Sequence, residues 1–112
     1  MKCKGKVSKI ERSKIPSVNV LTFECEDGKK VEMMIHDELL NFFEGEEGEF
    51  EISEDLPEYK DGKDLCGIGM FYKEEPDKKF FSIGGFLVVV HTTEKSPFEY
   101  GKKYYICLKH LA

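Results

Sequence analysis

Apolar and polar side chains alternate with a period of two along most of this chain. A strand sends successive side chains to opposite faces, so this period marks a sheet with one face buried. Residues 2–10 set Cys3, Gly5 and Val7 against Lys2, Lys4 and Lys6. Residues 18–25 set Leu21, Phe23 and Cys25 against Thr22 and Glu24, and residues 30–36 set Val31, Met33 and Ile35 against Glu32, Met34 and His36. Residues 49–52 form a short alternating piece, and residues 65–73, 79–83, 86–91 and 103–109 make the second half more strongly β. Eight short strands in 112 residues predict an all-β fold, an antiparallel barrel closed or nearly closed.

Turn chemistry places the connections. Glu26-Asp27-Gly28 joins the second and third strands. A two-residue loop there would oppose Phe23 to Glu32. A three-residue loop ending at Gly28 pairs Phe23 with Val31 and Leu21 with Met33, and puts Gly28 at the left-handed position such a loop needs. The second register is expected, because a slip of one residue would turn every side chain to the wrong face. Asp37 to Gly45 reads as one short helix, with Asp37 as N-cap and Gly45 as stop, plugging an end of the barrel. Gly84-Gly85 within β sequence marks a bulge or sharp bend, and Gly67 and Gly69 relieve crowding where a strand bends. These four glycines are expected to be structural.

The length allows one domain, residues 1–112, with one core. No apolar run approaches the roughly 20 residues of a membrane span, and the first residues lack the apolar stretch of a signal peptide. The four cysteines, Cys3, Cys25, Cys66 and Cys107, stand 22, 41 and 41 residues apart with no C-x-x-C pair. They are expected to be reduced thiols acting as small apolar groups, without zinc, in a reducing compartment. No cofactor is expected.

Charge is unevenly spread around a net of −5. Residues 2–14 hold six basic side chains against one acidic, and residues 44–58 hold eight acidic side chains and no basic one. Such blocks read as two solvated faces of opposite sign, adjacent in the fold, or as an acidic patch for a basic partner. Catalytic constellations are thin. His36, His91 and His110 fall at strand ends, the serines sit in no G-x-S-x-G context, and Gly67-Ile68-Gly69 lacks the third glycine and the helix of a dinucleotide fingerprint. An enzyme is disfavoured. An OB-type barrel binding single-stranded nucleic acid is the alternative, with Lys2, Lys4 and Lys6 as candidate contacts. No aromatic is interleaved with those lysines.

The stretches Gly67-Ile68-Gly69-Met70-Phe71-Tyr72-Lys73, Phe80 to Val89 with Ser82-Ile83-Gly84-Gly85-Phe86-Leu87 at its centre, and Gly101 to Leu111 with its Tyr104-Tyr105 resemble the C-terminal half of a known family. It is the small β-barrel subunit of multisubunit DNA-directed RNA polymerases: the eighth subunit shared by the eukaryotic nuclear enzymes, and its archaeal counterpart, the G subunit. The N-terminal half is similar in order. The acidic loop of the eukaryotic members shrinks here to about residues 55–64, and Val88-Val89-Val90-His91 stands where their pattern brings an arginine. The compact length looks more like the archaeal branch. The resemblance implies an eight-stranded barrel of OB-like halves and a non-catalytic accessory role, docking on the largest polymerase subunit beside other subunits and supporting assembly or stability. It places the protein in the cytoplasm if archaeal, the preferred reading, and in the nucleus if eukaryotic.

The faces suggest where a partner sits. With Phe86, Val88 and Val90 inward, Leu87 and Val89 point out; with Tyr104, Ile106 and Leu108 inward, Tyr105 and Cys107 point out. A strand apolar on both faces must be covered on both. The cover is either the helix at residues 38–43 or a partner, and the resemblance favours a partner interface at Leu87, Val89, Tyr105 and Cys107.

Overall fold

The computed structural model describes residues 1–95 and 97–111; Ser96 and Ala112 lie outside the described residues. Eight strands follow one another: β1 (Lys2–Arg12), β2 (Val18–Cys25), β3 (Lys30–His36), β4 (Glu47–Ser53), β5 (Leu65–Glu75), β6 (Lys78–Ile83), β7 (Phe86–His91) and β8 (Lys103–His110). They close into an antiparallel barrel in the order β1-β2-β3-β7-β6-β5-β8-β4. Inward positions follow the alternation. Val7, Leu21, Phe23, Val31, Phe50, Phe71, Phe81, Val88, Val90 and Leu108 have no exposed surface. Closure spares the sheet any long unpaired edge.

The β2–β3 hairpin has the expected register, Phe23 opposite Val31 and Leu21 opposite Met33, with Gly28 at φ +97°. Two bulges reset parity elsewhere. One falls at Ser8, between the pairs Val7–Phe23 and Lys9–Thr22, and the other at Tyr72, between Phe71–Phe81 and Lys73–Phe80. Gly84-Gly85 forms the two-residue tip of the β6–β7 hairpin, with both residues at positive φ, +56° and +91°. This is the geometry of a primed hairpin turn, which glycine enters without a Cβ clash. A Cβ on Gly69 would lie 2.6 Å from Ile106 Cδ1, and one on Gly67 3.1 Å from Ile83 Cγ2, so both glycines make room for side chains packed across β5.

Residues 37–46 correct one expectation. They hold two turns, and no helix occurs among the described residues. Asp37 does not cap a helix because its carboxylate is taken by Arg12 at 2.6 Å and by the side-chain amide of Asn19 at 2.5 Å. The segment still plugs the barrel. Phe42 is buried and stacks on His110, while Leu39 and Phe43 face water. At the other end Phe98 packs against Phe71, Phe81 and Tyr104.

The cysteines correct a second. They are not free thiols: Cys3 is bonded to Cys25 and Cys66 to Cys107. Sequence spacing hid this because strand order brings the partners together. β1 lies beside β2, and Cys66 stands directly opposite Cys107 across the β5–β8 pair.

Candidate docking surface

Chain direction decides which outer faces stay open. β4 and β5 both run antiparallel to β8 and flank it. The 54–64 connection must therefore return along the barrel to start β5, and it does so over β8. Lys102, just before β8, pairs with Glu54 at 2.5 Å. Further along, Lys109 Nζ donates to the Glu58 carbonyl at 3.3 Å, and the His110 amide donates to Asp64 Oδ1 at 2.9 Å. Tyr105 is half-buried, and Cys107, bonded to Cys66, has no exposed surface. Cys107 thus presents nothing to a partner. Its outward side is covered by its own chain, through the crossover and not through a helix.

Leu87 and Val89 are placed differently. Val88 and Val90 fill the core, so Leu87 and Val89 turn outward from β7. With Val20, Glu32 and Met34 they line a shallow depression of about 180 Å³. Its polar rim is Glu32, whose Oε1 meets His91 Nε2 at 2.5 Å. In the barrel, β6 and β5 separate β7 from β8, so Leu87 and Val89 do not meet Tyr105 and Cys107.

The surface extends from β7 through residues of β6 and β5, beyond the four expected at the interface. β6 turns the half-buried Phe80 outward opposite Val89. β5 turns out Ile68, Met70 and Tyr72, which are 53%, 39% and 45% exposed. The Tyr72 and Phe80 rings lie 6.2 Å apart, and Lys73 Nζ sits 5.0 Å above the Phe80 ring. The sequence does carry the signal: Gly67, Gly69 and Phe71 alternate with Ile68, Met70 and Tyr72, so β5 too is non-polar on both faces.

The lysine row is matched by carboxylates. Across the β1–β4 pair, Lys2 faces Glu51, Lys4 faces Glu49 and Lys6 faces Glu47. Lys109 on β8 adds contacts to Glu51 at 3.0 Å and Glu49 at 3.4 Å. Burial works against its charge, but the two carboxylates outweigh that and hold its pKa above the ordinary lysine value. The basic and acidic blocks are thus adjacent and largely neutralise each other, which leaves little field for a phosphate backbone. His36, His91 and His110 each end a strand, on β3, β7 and β8. Among the described residues no group of three or more His, Cys, Asp and Glu side chains converges as metal ligands do.

Comparison with known proteins points in the same direction as the strand motifs. The family model for the G subunit of DNA-directed RNA polymerase matches residues 1–111. A relative in Sulfolobus acidocaldarius, DNA-directed RNA polymerase subunit Rpo8, is 36% identical over 69 residues, which is 62% of this chain and 56% of that protein. The match thus spans a little over half the length of that relative. With all eight strands inside the matched region, the chain belongs to the family of RNA polymerase G subunits.

Proposed function

We propose that this chain acts over residues 1–112 as one OB-like domain, a non-catalytic accessory subunit of an archaeal-type RNA polymerase in the cytoplasm. It seats on the largest subunit, beside other polymerase subunits, and supports assembly or stability of the enzyme. The observation that carries the docking is the outward non-polar face of β5, β6 and β7. β1 carries lysines on its outer side, as a strand facing water should. β7 carries Leu87 and Val89 there, and β5 carries Ile68, Met70 and Tyr72. A contiguous exposed apolar patch marks an interaction surface.

The test is reconstitution of the polymerase with the double variant Leu87→Lys, Val89→Lys. Both side chains point away from the core, so the variant should keep its circular dichroism and stay monomeric. It should fail to co-purify with the large subunits, whereas the unaltered chain is recovered with them stoichiometrically. Normal incorporation of the double variant would place the interface elsewhere. Failure of the unaltered chain to join any polymerase subunit would overturn the reading.

A further inference from the structure

The geometry points to a strand-addition site at the end of the barrel where β3 finishes and β5 begins. Its occupant is an extended, basic polypeptide segment that pairs with the edge of β5 at Cys66 and Ile68 and seats one aliphatic side chain beside Leu39, Leu65 and Ile83. The inference rests on the polymerase reading for whose segment this is, namely another polymerase subunit's. The site itself rests on four observations.

The first is a notch in the wall. The β5–β6 ladder begins only at Met70–Ser82, and the β3–β7 ladder stops at Met33–Val88. β5 nevertheless starts at Leu65 and β3 runs on to His36. β5 therefore outreaches the β6–β7 hairpin, which has already turned back at Gly84-Gly85, while the last residues of β3 part from β7.

The second is the direction of the backbone groups. Opposed residues in an antiparallel pair stand about 4.5 Å apart at Cα when they do not exchange hydrogen bonds, and about 5.5 Å when they do. Cys66 and Cys107 stand 4.1 Å apart. The amide and carbonyl of Cys66, and those of Ile68 two residues on, thus point away from β8 and into the notch. A strand edge of this kind is a template for another strand.

The third is the floor. Met33, Leu39, Leu65, Ile83, Phe86 and Ile106 line an apolar space of about 100 Å³, and Gly67 leaves its wall low. An apolar cavity of about 150 Å³ takes a benzene ring, so this space suits one branched aliphatic side chain. Leu39 stands at the rim, 61% exposed.

The fourth is charge. The loop that supplies Leu39 to the notch, residues 37–46, holds four carboxylates and no basic side chain. Arg12 occupies Asp37 and His110 occupies Glu46, but Glu38 beside Leu39 takes part in no ion pair among the described residues. The rim therefore favours lysine or arginine flanking the apolar anchor. Met34 lines both the notch and the Leu87–Val89 depression, so the site is continuous with the proposed docking face.

The probe is an acetylated, amidated heptapeptide, Lys-Val-Lys-Leu-Lys-Val-Lys, titrated into the isotopically labelled full chain by NMR. Amide shifts should concentrate at residues 65–69 and 33–39, and affinity should fall as salt is raised. N-methylation of the alternate peptide amides that face β5 should weaken binding about tenfold, the size of a lost hydrogen bond or two. Leu39→Ala, at an exposed position that leaves the fold intact, should weaken it several-fold. A glutamate version of the peptide should not bind. Equal binding of the N-methylated peptide, shifts confined to other strands, or no binding at millimolar peptide would overturn the site. The polymerase reading is judged separately: if the chain joins the polymerase but does not bind the peptide, only this site fails. If it binds the peptide as described but joins no polymerase subunit, the site stands and the assignment of its occupant to a polymerase fails.

Discussion

The ring of Phe42 lies flat on the imidazole of His110, with centroids 3.9 Å apart and planes 1° from parallel. Phe42 comes from the β3–β4 loop and His110 from the last position of β8. Nδ1 of the same imidazole meets the carboxylate of Glu46, and the His110 amide donates to Asp64. One aromatic pair therefore fastens two loops and the C-terminal strand over one mouth of the barrel. Phe42→Ala should cost about 3–5 kcal/mol, read as a lower urea midpoint at unchanged slope. A loss below about 1 kcal/mol would show that the mouth closes without it.

Gly5 should be the least replaceable glycine. A Cβ there would lie 2.0 Å from the Glu24 carbonyl oxygen and 2.8 Å from Cys25 Cα, both backbone atoms. The β1–β2 pair would have to part. Gly5→Ala should destabilise by more than about 3 kcal/mol, beyond ordinary overpacking. Denaturant titration of the purified variant reads this directly.

The hairpin glycines should separate. Gly84 at φ +56° and Gly85 at φ +91° have open space where a Cβ would stand, with no atom within 4 Å, so conformation alone decides. Asparagine is accepted at the first position of a primed turn and glycine is wanted at the second. Gly84→Asn should change stability by less than about 0.5 kcal/mol, whereas Gly85→Val should cost roughly 1–3 kcal/mol. Equal melting temperatures for the two variants would contradict the turn assignment.

The disulfides predict a response to reductant. Native protein under denaturing alkylation should show no free thiol, and reduction should expose four. The bridges close chain separations of 22 and 41 residues. On the chain-entropy account each contributes about 3–4 kcal/mol. The melting temperature should fall with a phosphine reductant and fall further with both bridges cut than with either alone. An unchanged melting curve after confirmed reduction would refute that contribution.

Acid should loosen the turn after β3. Arg12, and then Asn19, hold the Asp37 carboxyl below the ordinary aspartate range. A lowered folded-state pKa means that its contribution to stability is complete above the ordinary aspartate value and disappears as pH falls through the lowered one. Arg12→Ala should raise the Asp37 titration midpoint followed by NMR, and flatten the acid side of the stability profile below about pH 4. An unmoved midpoint would remove the guanidinium as the cause.

What was legible in the sequence was whatever local pattern dictates. Phe23 opposite Val31 followed from alternation and a glycine at the right place in a turn. The outward turn of Leu87 and Val89 followed from the parity of β7. What escaped depended on non-local placement. Asp37 has the residue type of a helix cap, but Arg12 and Asn19, on β1 and β2, hold its carboxylate. Cys66 and Cys107 pair because β5 and β8 are neighbours, and nothing within either strand states that. Cys107 reads as open by parity because the path of residues 54–64 across β8 depends on the directions of three strands. Ile68, Met70 and Tyr72 follow from the same parity argument as Leu87, although Gly67 and Gly69 stand at the inward positions beside Ile68.

The strand order sets a constraint on synthesis. β8 is the last strand made, yet it is wedged between β4 and β5, and nothing else joins those two in the barrel wall. While the ribosome still holds β8, β4 and β5 have a bare edge each and the core residues Phe50 and Ile52 lack their β8 partners Leu108 and Ile106. The sheet can close only after β8 has emerged, so the nascent chain passes through a stage with two sticky strands exposed. Ribosome-bound chains truncated before Lys103 should therefore be protease-sensitive throughout, and protection should arrive in one step once β8 is outside the tunnel.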